Sequence, residues 1–380
     1  MRPAAYVACL NSDRIMAPSL YQPLFLSVVS LLAAIMAAMY LSSPTDARSE
    51  KGMHSSILLC IPLCIVLTVW LGMRPVSGEF GDTVNYALTY ENSEVIFSGI
   101  DFHQEWLFNL LMYLCQEGGM DVSEFFTIIE FIYVFTALWA VYRLMPKNAL
   151  LGMIFVCGSL MYFSFGVNGL RNGMACHILL LAMSYFLDSK YLPAAVLAAA
   201  GFSIHRSIAL PIAAMVVSRW AIRDVRVALY IWLGSIVLSL LAGNFFVGML
   251  GGMDFDDRIT NYASGAYVDD GFSRTGFRWD FLIYSAMPVF MGYIVLIRRG
   301  MRENWYRVLF STYCLANAFW VLVIRIAYSN RFAYLSWFMY PVIIAYPLIM
   351  MRVWPDQDRK TAQILIVYVS FTVVMNTLYW

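Results

Sequence analysis

The sequence predicts an all-α polytopic membrane protein. Three observations carry that reading. Of 380 residues, 61% are hydrophobic and 13% charged, with a mean hydropathy of +0.69, whereas a soluble domain is nearer half apolar and a quarter charged. Apolar runs of spanning length recur from one end to the other. Lysine and arginine collect in alternate loops, as they do when one face of a bundle is cytoplasmic.

Composition also excludes several classes. The net charge is +1, and no run of basic residues is present, so nucleic acid is not an expected partner. The seven cysteines are Cys9, Cys60, Cys64, Cys115, Cys157, Cys176 and Cys314. Most sit within apolar runs, with no CxxC pair and no Cys/His cluster at zinc spacing. They read as small buried hydrophobes, and no disulfide, metal or cofactor is expected.

A spanning helix needs about 20 apolar residues. Arg2 and Arg14 precede the first such run, 20–42, and no small-residue cleavage site follows convincingly, so it is expected to be the first crossing. Further spans are expected at 55–73, 123–143, 149–166, 171–188, 226–250, 278–297, 305–325, 331–351 and 362–380. Two half-length pieces, 191–204 and 206–218, meet at His205. They suit a re-entrant pair or two short tilted crossings. The whole of 1–380 is then a single transmembrane domain of about 10–12 helices. In 103–117, Trp106, Leu107, Leu110, Leu111 and Leu114 recur at helical spacing, which predicts an amphipathic interfacial helix.

Charge orients the bundle. Arg48, Lys51, Arg143, Lys147, Lys190, Arg219, Arg223, Arg226, Arg298, Arg299, Arg302, Arg307, Arg352, Arg359 and Lys360 fall in one alternating set of loops. These are fifteen of 25 basic residues, so that set is placed inside. The opposite set is 74–104, 166–170, 251–277 and 326–330. Its two long members, 74–104 and 251–277, are rich in Gly, Asp, Asn and Tyr and are expected to be ordered outer lids.

Five groups of residues are candidates for chemistry. Asp82 and Tyr86 lie in RPVSGEFGDTVNY, where Asp82 is a general base, a binder of sugar hydroxyls, or simply part of a Gly-Asp turn. Glu105 and Trp106 suit a sugar, but on local sequence alone a solvated acid at a helix start beside an interfacial aromatic accounts for them better. Asn168, Arg171 and Asn172 open an apolar helix, where free N–H groups and a planar guanidinium favour phosphate. Arg278 and Arg331 open two more helices in the same way. Snorkelling explains any one of these arginines; three in similar places point to an anionic substrate. His205, Arg206 and Ser207 interrupt an apolar run, and His205 is either a base or a histidine hydrogen-bonded inside the bundle. Arg258, with Asp254, Asp256, Asp257 and Tyr262, joins an anion site, while the acids form a solvated face or a weak cation site.

At these residues the chain resembles the EpsG-type membrane proteins of bacterial exopolysaccharide clusters, which are Wzy-like polysaccharide polymerases. Arg74, Gly81-Asp82 and Tyr86 are similar to that family's Arg, Gly-x-Asp and Tyr pattern. Glu105-Trp106-Leu107-Phe108-Asn109 resembles its Glu-Pro-Gly segment, with Trp106 in place of the Pro. Asn168-Gly169-Leu170-Arg171-Asn172 resembles its Asn-x-x-Arg-Gln helix start, with Asn172 for the Gln. His205-Arg206-Ser207-Ile208 resembles its His-x-Ser-Ala segment, with Ile208 for the Ala. Asn330-Arg331-Phe332 resembles a late Arg-Phe element.

The resemblance implies a GT-C-like, metal-independent glycosyltransferase of the bacterial inner membrane. Its donor and acceptor would both be oligosaccharide repeat units on undecaprenyl diphosphate, joined at the outer face. It implies His205 or Asp82 as base, Glu105 as orienter, and Arg171, Arg258, Arg331 and Arg278 on the diphosphate. Tyr86, Trp106, Asn168, Asn172, Arg206 and Ser207 would contact substrate. Such enzymes often work with a chain-length-regulating co-polymerase. Two alternatives share part of this logic: a ligase-like transferase that moves finished glycan to another acceptor, and a transporter of lipid-linked sugars. The latter predicts an inverted repeat of hydropathy, and none is visible.

Overall fold

The structure, a computed structural model, describes residues 16–42, 50–92, 97–102, 104–251, 276–326 and 329–379. Among them every regular element is helical. The helices are α1 (Tyr21–Ser42), α2 (Glu50–Gly72), α3 (Thr83–Asn92), α4 (Trp106–Glu117), α5 (Val122–Leu144), α6 (Ala149–Cys157), α7 (Tyr162–Val167), α8 (Leu170–Leu187) and α9 (Tyr191–Ile204). They continue as α10 (Ala209–Trp220), α11 (Val225–Gly251), α12 (Trp279–Gly292), α13 (Asn304–Leu322), α14 (Ser329–Trp337), α15 (Tyr340–Met350) and α16 (Gln357–Tyr379).

Among the described residues, seven stretches are long and apolar enough to cross a membrane: Pro18–Ser42, Val122–Leu144, Leu170–Leu187, Val225–Met249, Trp279–Arg298, Ser329–Met350 and Gln357–Leu378. Ser56–Gly72, Pro146–Cys157 and Tyr191–Ile204 are shorter apolar helices. The protein is an all-α polytopic membrane protein.

The chain divides into two compact units, Met1–Ile208 with Ala345–Trp380, and Ala209–Ile344. In the first, α1 packs on α16, α2 on α5, α5 on α8, and α8 on α9, which also meets α4. Helix α8 is buried on nearly all sides, as a helix without a polar face must be. Helix α5 starts at a capping box: Asp121 Oδ1 accepts from Glu124 N–H at 2.8 Å, and Glu124 Oε2 accepts from Asp121 N–H at 2.8 Å. Each side chain satisfies a backbone donor left open by the first turn. In the second unit α13 is the centre, with α10, α11, α12 and α14 around it.

Two expectations are corrected. Segment 149–166 is not one helix: Gly158 and Ser159 break it, and the Gly158 N–H closes α6 on Ile154 O at 2.8 Å. Segment 331–351 keeps its spanning length as Ser329–Met350, with a turn at 338–339 between α14 and α15. Segment 74–104 is not only loop, because it contains α3. That short helix buries Thr83, Ala87 and Tyr90, spaced along one face. Tyr90 OH donates to Met120 O at 2.8 Å, and its ring stacks on Phe125 at 4.5 Å. Burial pushes the Tyr90 phenol up to about 12, so it stays a donor. Most of 251–277, including Arg258, Asp254, Asp256, Asp257 and Tyr262, lies outside the described residues.

Candidate active site

The site is built on a corner of the first unit. Just beyond α2, Arg74 turns inward and is fully buried. Its Nη1 donates to Leu71 O at 2.7 Å and to Glu130 Oε1 at 3.1 Å. Its Nη2 reaches Val167 O at 3.3 Å and Thr83 Oγ1 at 3.4 Å. Thr83 Oγ1 in turn donates to Val167 O at 2.6 Å. One guanidinium therefore ties the ends of α2 and α7 to the start of α3 and the middle of α5.

The next residues complete the corner. Gly81 has φ +59°, and a Cβ there would lie 2.5 Å from the Asn168 side chain. Only glycine takes that conformation and that contact without strain. The close approach lets the Asp82 N–H donate to Asn168 Oδ1 at 2.9 Å. Asp82 itself is half-buried.

Three helix ends then converge. Arg171 is in the first turn of α8, Glu105 precedes α4, and His205 follows α9. Glu105 makes no capping bond to its own helix. Its Oε2 lies 2.6 Å from Arg171 Nη1, and its Oε1 lies 2.6 Å from His205 Nδ1. Arg171 Nε donates to Tyr86 OH at 3.3 Å, and the guanidinium faces the rings of Tyr86 and Phe108 at 5.7 and 5.5 Å. His205 takes an extended conformation, φ −151° and ψ 111°, that ends α9. A carboxylate can only accept, so the proton of the neutral ring belongs on Nδ1, and Nε2 keeps its lone pair. The side chains of Arg171, Glu105 and His205 are 20%, 16% and 13% exposed, open enough to meet a substrate and shielded enough to strengthen their charges.

Other expected residues are placed as follows. Trp106 is half-buried with its ring 5.5 Å from Phe102. Asn172 is buried, and Cys176 Sγ donates to its Oδ1 at 3.3 Å. Arg206 is exposed and Ser207 half-buried in the turn after His205. Arg278 and Arg331 belong to the second unit. Arg278 makes a fork to Asp280, with Nε–Oδ1 at 3.0 Å and Nη2–Oδ2 at 2.6 Å. Asp82, Tyr86, Glu105, Asn168, Arg171 and His205 are the residues brought together in the first unit. No group of three or more His, Cys, Asp or Glu side chains suited to a metal ion occurs among the described residues.

Some residues escaped the sequence reading. Glu130 holds Arg74, and an acid inside an apolar span was the available signal. His177 is buried on α8, stacked on Tyr133 at 4.1 Å, with Nδ1 2.8 Å from Tyr133 O. Arg325, beyond α13, has a buried Nε without a hydrogen-bond partner and passes close to Gly243.

A model of the EpsG family matches residues 57–380. The chain belongs to the EpsG family. This is a family of Wzy-like polysaccharide polymerases, and all six clustered residues lie within the matched stretch. No curated protein and no solved structure matches the chain. The EpsG assignment supports a general role in polysaccharide polymerisation.

Proposed function

We propose that this EpsG-family protein polymerises oligosaccharide repeat units carried on undecaprenyl diphosphate, at the outer face of a bacterial inner membrane. The observation that carries the mechanism is the carboxylate of Glu105 shared between His205 and Arg171. His205 Nε2 takes the proton from the acceptor hydroxyl as that oxygen attacks the anomeric carbon of the donor glycan. The bond from that carbon to the lipid diphosphate breaks, and the diphosphate leaves as an anion. Glu105 holds the ring in the correct tautomer and stabilises the imidazolium that forms, the role a carboxylate plays in a hydrolase triad. Arg171, at the positive end of α8, stabilises charge on the departing diphosphate. The reading needs no metal. Arg258, Arg278 and Arg331 are proposed as further diphosphate contacts. Asp82 is proposed as a sugar-binding acid on the same corner, with Asn168, Asn172, Tyr86, Trp106, Arg206 and Ser207 as substrate contacts.

The test is reconstitution in nanodiscs with a defined lipid-diphosphate oligosaccharide and no added metal. Longer glycans with release of free lipid diphosphate are expected. Unchanged substrate under conditions where a control polymerase works would overturn the proposal. A single transfer to a different acceptor would identify a ligase instead.

A further inference from the structure

The second unit contains a separate polar feature that the proposed reaction does not use. The first turn of α11, the π-helical stretch Tyr293–Arg298 that continues α12, and the first turn of α13 enclose a cleft of about 710 Å³. Its floor is apolar: Leu296, Ile297 and Met301 line it, each half-buried. Its rim is basic, formed by Arg223, Arg226, Arg302 and Arg307. The wider turns of the π-helix and the reversal at Gly300, φ +63°, place floor and rim side by side.

The two acids in the cleft serve the backbone. Asp224 Oδ1 accepts from Arg226 N–H at 2.9 Å, and Glu303 accepts from Trp305 N–H at 3.3 Å as the cap of α13. Arg307 is also held in place: it donates to Ser218 O in the last turn of α10, to Ile222 O just beyond it, and to Asn304 Oδ1. Among the described residues no ion pair neutralises Arg223, Arg226, Arg302 or Arg307. Four arginines against two acids leave an excess of two positive charges. The positive ends of α11 and α13 add to that potential.

We infer that this cleft binds the headgroup of an anionic phospholipid. The phosphodiester sits among Arg223, Arg226 and Arg302, and the glycerol and first acyl carbons lie on Leu296, Ile297 and Met301. A small soluble anion would use the rim and gain nothing from the floor. A zwitterionic lipid would use the floor but bring its own cation to the rim. The basic loops at this end belong to the set read as cytoplasmic, the leaflet where anionic lipids attract clustered arginines. The cleft is also remote from Arg278: the stretch Trp279–Arg298 separates them by 20 residues, or about 30 Å at the helical rise.

The experiment uses the full-length protein in detergent. It is titrated with phosphatidylglycerol and, separately, with phosphatidylcholine of the same acyl chains, and bound lipid is counted by native mass spectrometry. Phosphatidylglycerol should be retained preferentially. The variant R223A/R226A/R302A, all at exposed positions, should weaken that binding roughly tenfold or more. The variant R352A/R359A/K360A, which removes the same charge from another basic loop, should leave it intact. Glycerol 3-phosphate should fail to displace the lipid. Equal retention of the two lipids would overturn the inference, as would unchanged binding in the first variant or an equal loss in the second. Displacement by glycerol 3-phosphate at concentrations like those of the lipid would also overturn it, because the site would then take a soluble phosphate.

Discussion

Arg74 and Glu130 form an ion pair that neither shares with solvent: Nη1 lies 3.1 Å from Oε1, and both side chains are fully buried. Such a pair contributes little against a well-packed apolar replacement, but removing one partner leaves a buried charge alone and costs about 3–5 kcal/mol. R74A and E130Q should therefore each lower the thermal midpoint in detergent by several degrees. R74L/E130L should recover most of that loss. Wild-type melting in both single variants would show that the pair does not hold the corner.

The hydrogen bond from His205 to Glu105 has a kinetic consequence. H205A removes the proposed base, and a base of this kind contributes about 10²- to 10⁴-fold. E105Q keeps the shape but can present its amide N–H to His205, which favours the wrong tautomer. Both variants should extend glycans far more slowly in the nanodisc assay while melting near wild type. Full extension by either would remove that residue from the mechanism.

Gly81 tests the corner itself. G81A places a methyl 2.5 Å from the Asn168 side chain and keeps φ at +59°. The backbone conformation alone, φ +59° with ψ −117°, costs about 1–3 kcal/mol for a residue with a Cβ. We expect G81A to fold and insert but to lose most activity. Adding N168A should relieve the clash without relieving the backbone strain, so recovery in the double variant should be partial. A fully active G81A would show that the Asn168 contact is dispensable.

Tyr86 and Arg171 separate charge from shape. R171K keeps the charge but cannot span Glu105 Oε2 and Tyr86 OH with one planar group, so it should be nearly as impaired as R171A. Y86F loses one hydrogen bond from a charged guanidinium, worth roughly 1.5 kcal/mol, and should slow extension about tenfold. Near-normal rates in R171K would mean that a point charge suffices.

Most helix positions were legible because apolar runs and caps are local. The 191–204 piece and its break at His205 appear as α9 and an extended residue. The 103–117 stretch appears as α4, starting at Trp106. Helix α3 was not legible. Its sequence, TVNYALTYEN, is polar enough to read as loop, and it is held by long-range contacts from Tyr90 to Met120 and Phe125. The break at Gly158 was hidden inside a continuous apolar run. Of the site, the residue types at helix ends were visible. Their pairing was not, because Glu105 meets His205 100 residues away and Arg171 66 residues away. Arg74 was visible as a motif residue, yet its confinement depends on Glu130 from another helix.

Glu105 offers one negative charge to a standing cation, Arg171, and to a cation in waiting, His205. In the proposed reaction, proton arrival at His205 strengthens its claim on Oε1. The carboxylate's charge is drawn toward the imidazolium, and its grip on Arg171 slackens. The guanidinium is then released toward the diphosphate at the moment that group acquires charge. The carboxylate acts as a balance beam: deprotonation of one sugar and departure of the other are weighed against each other on a single pivot, with neither step able to run far ahead.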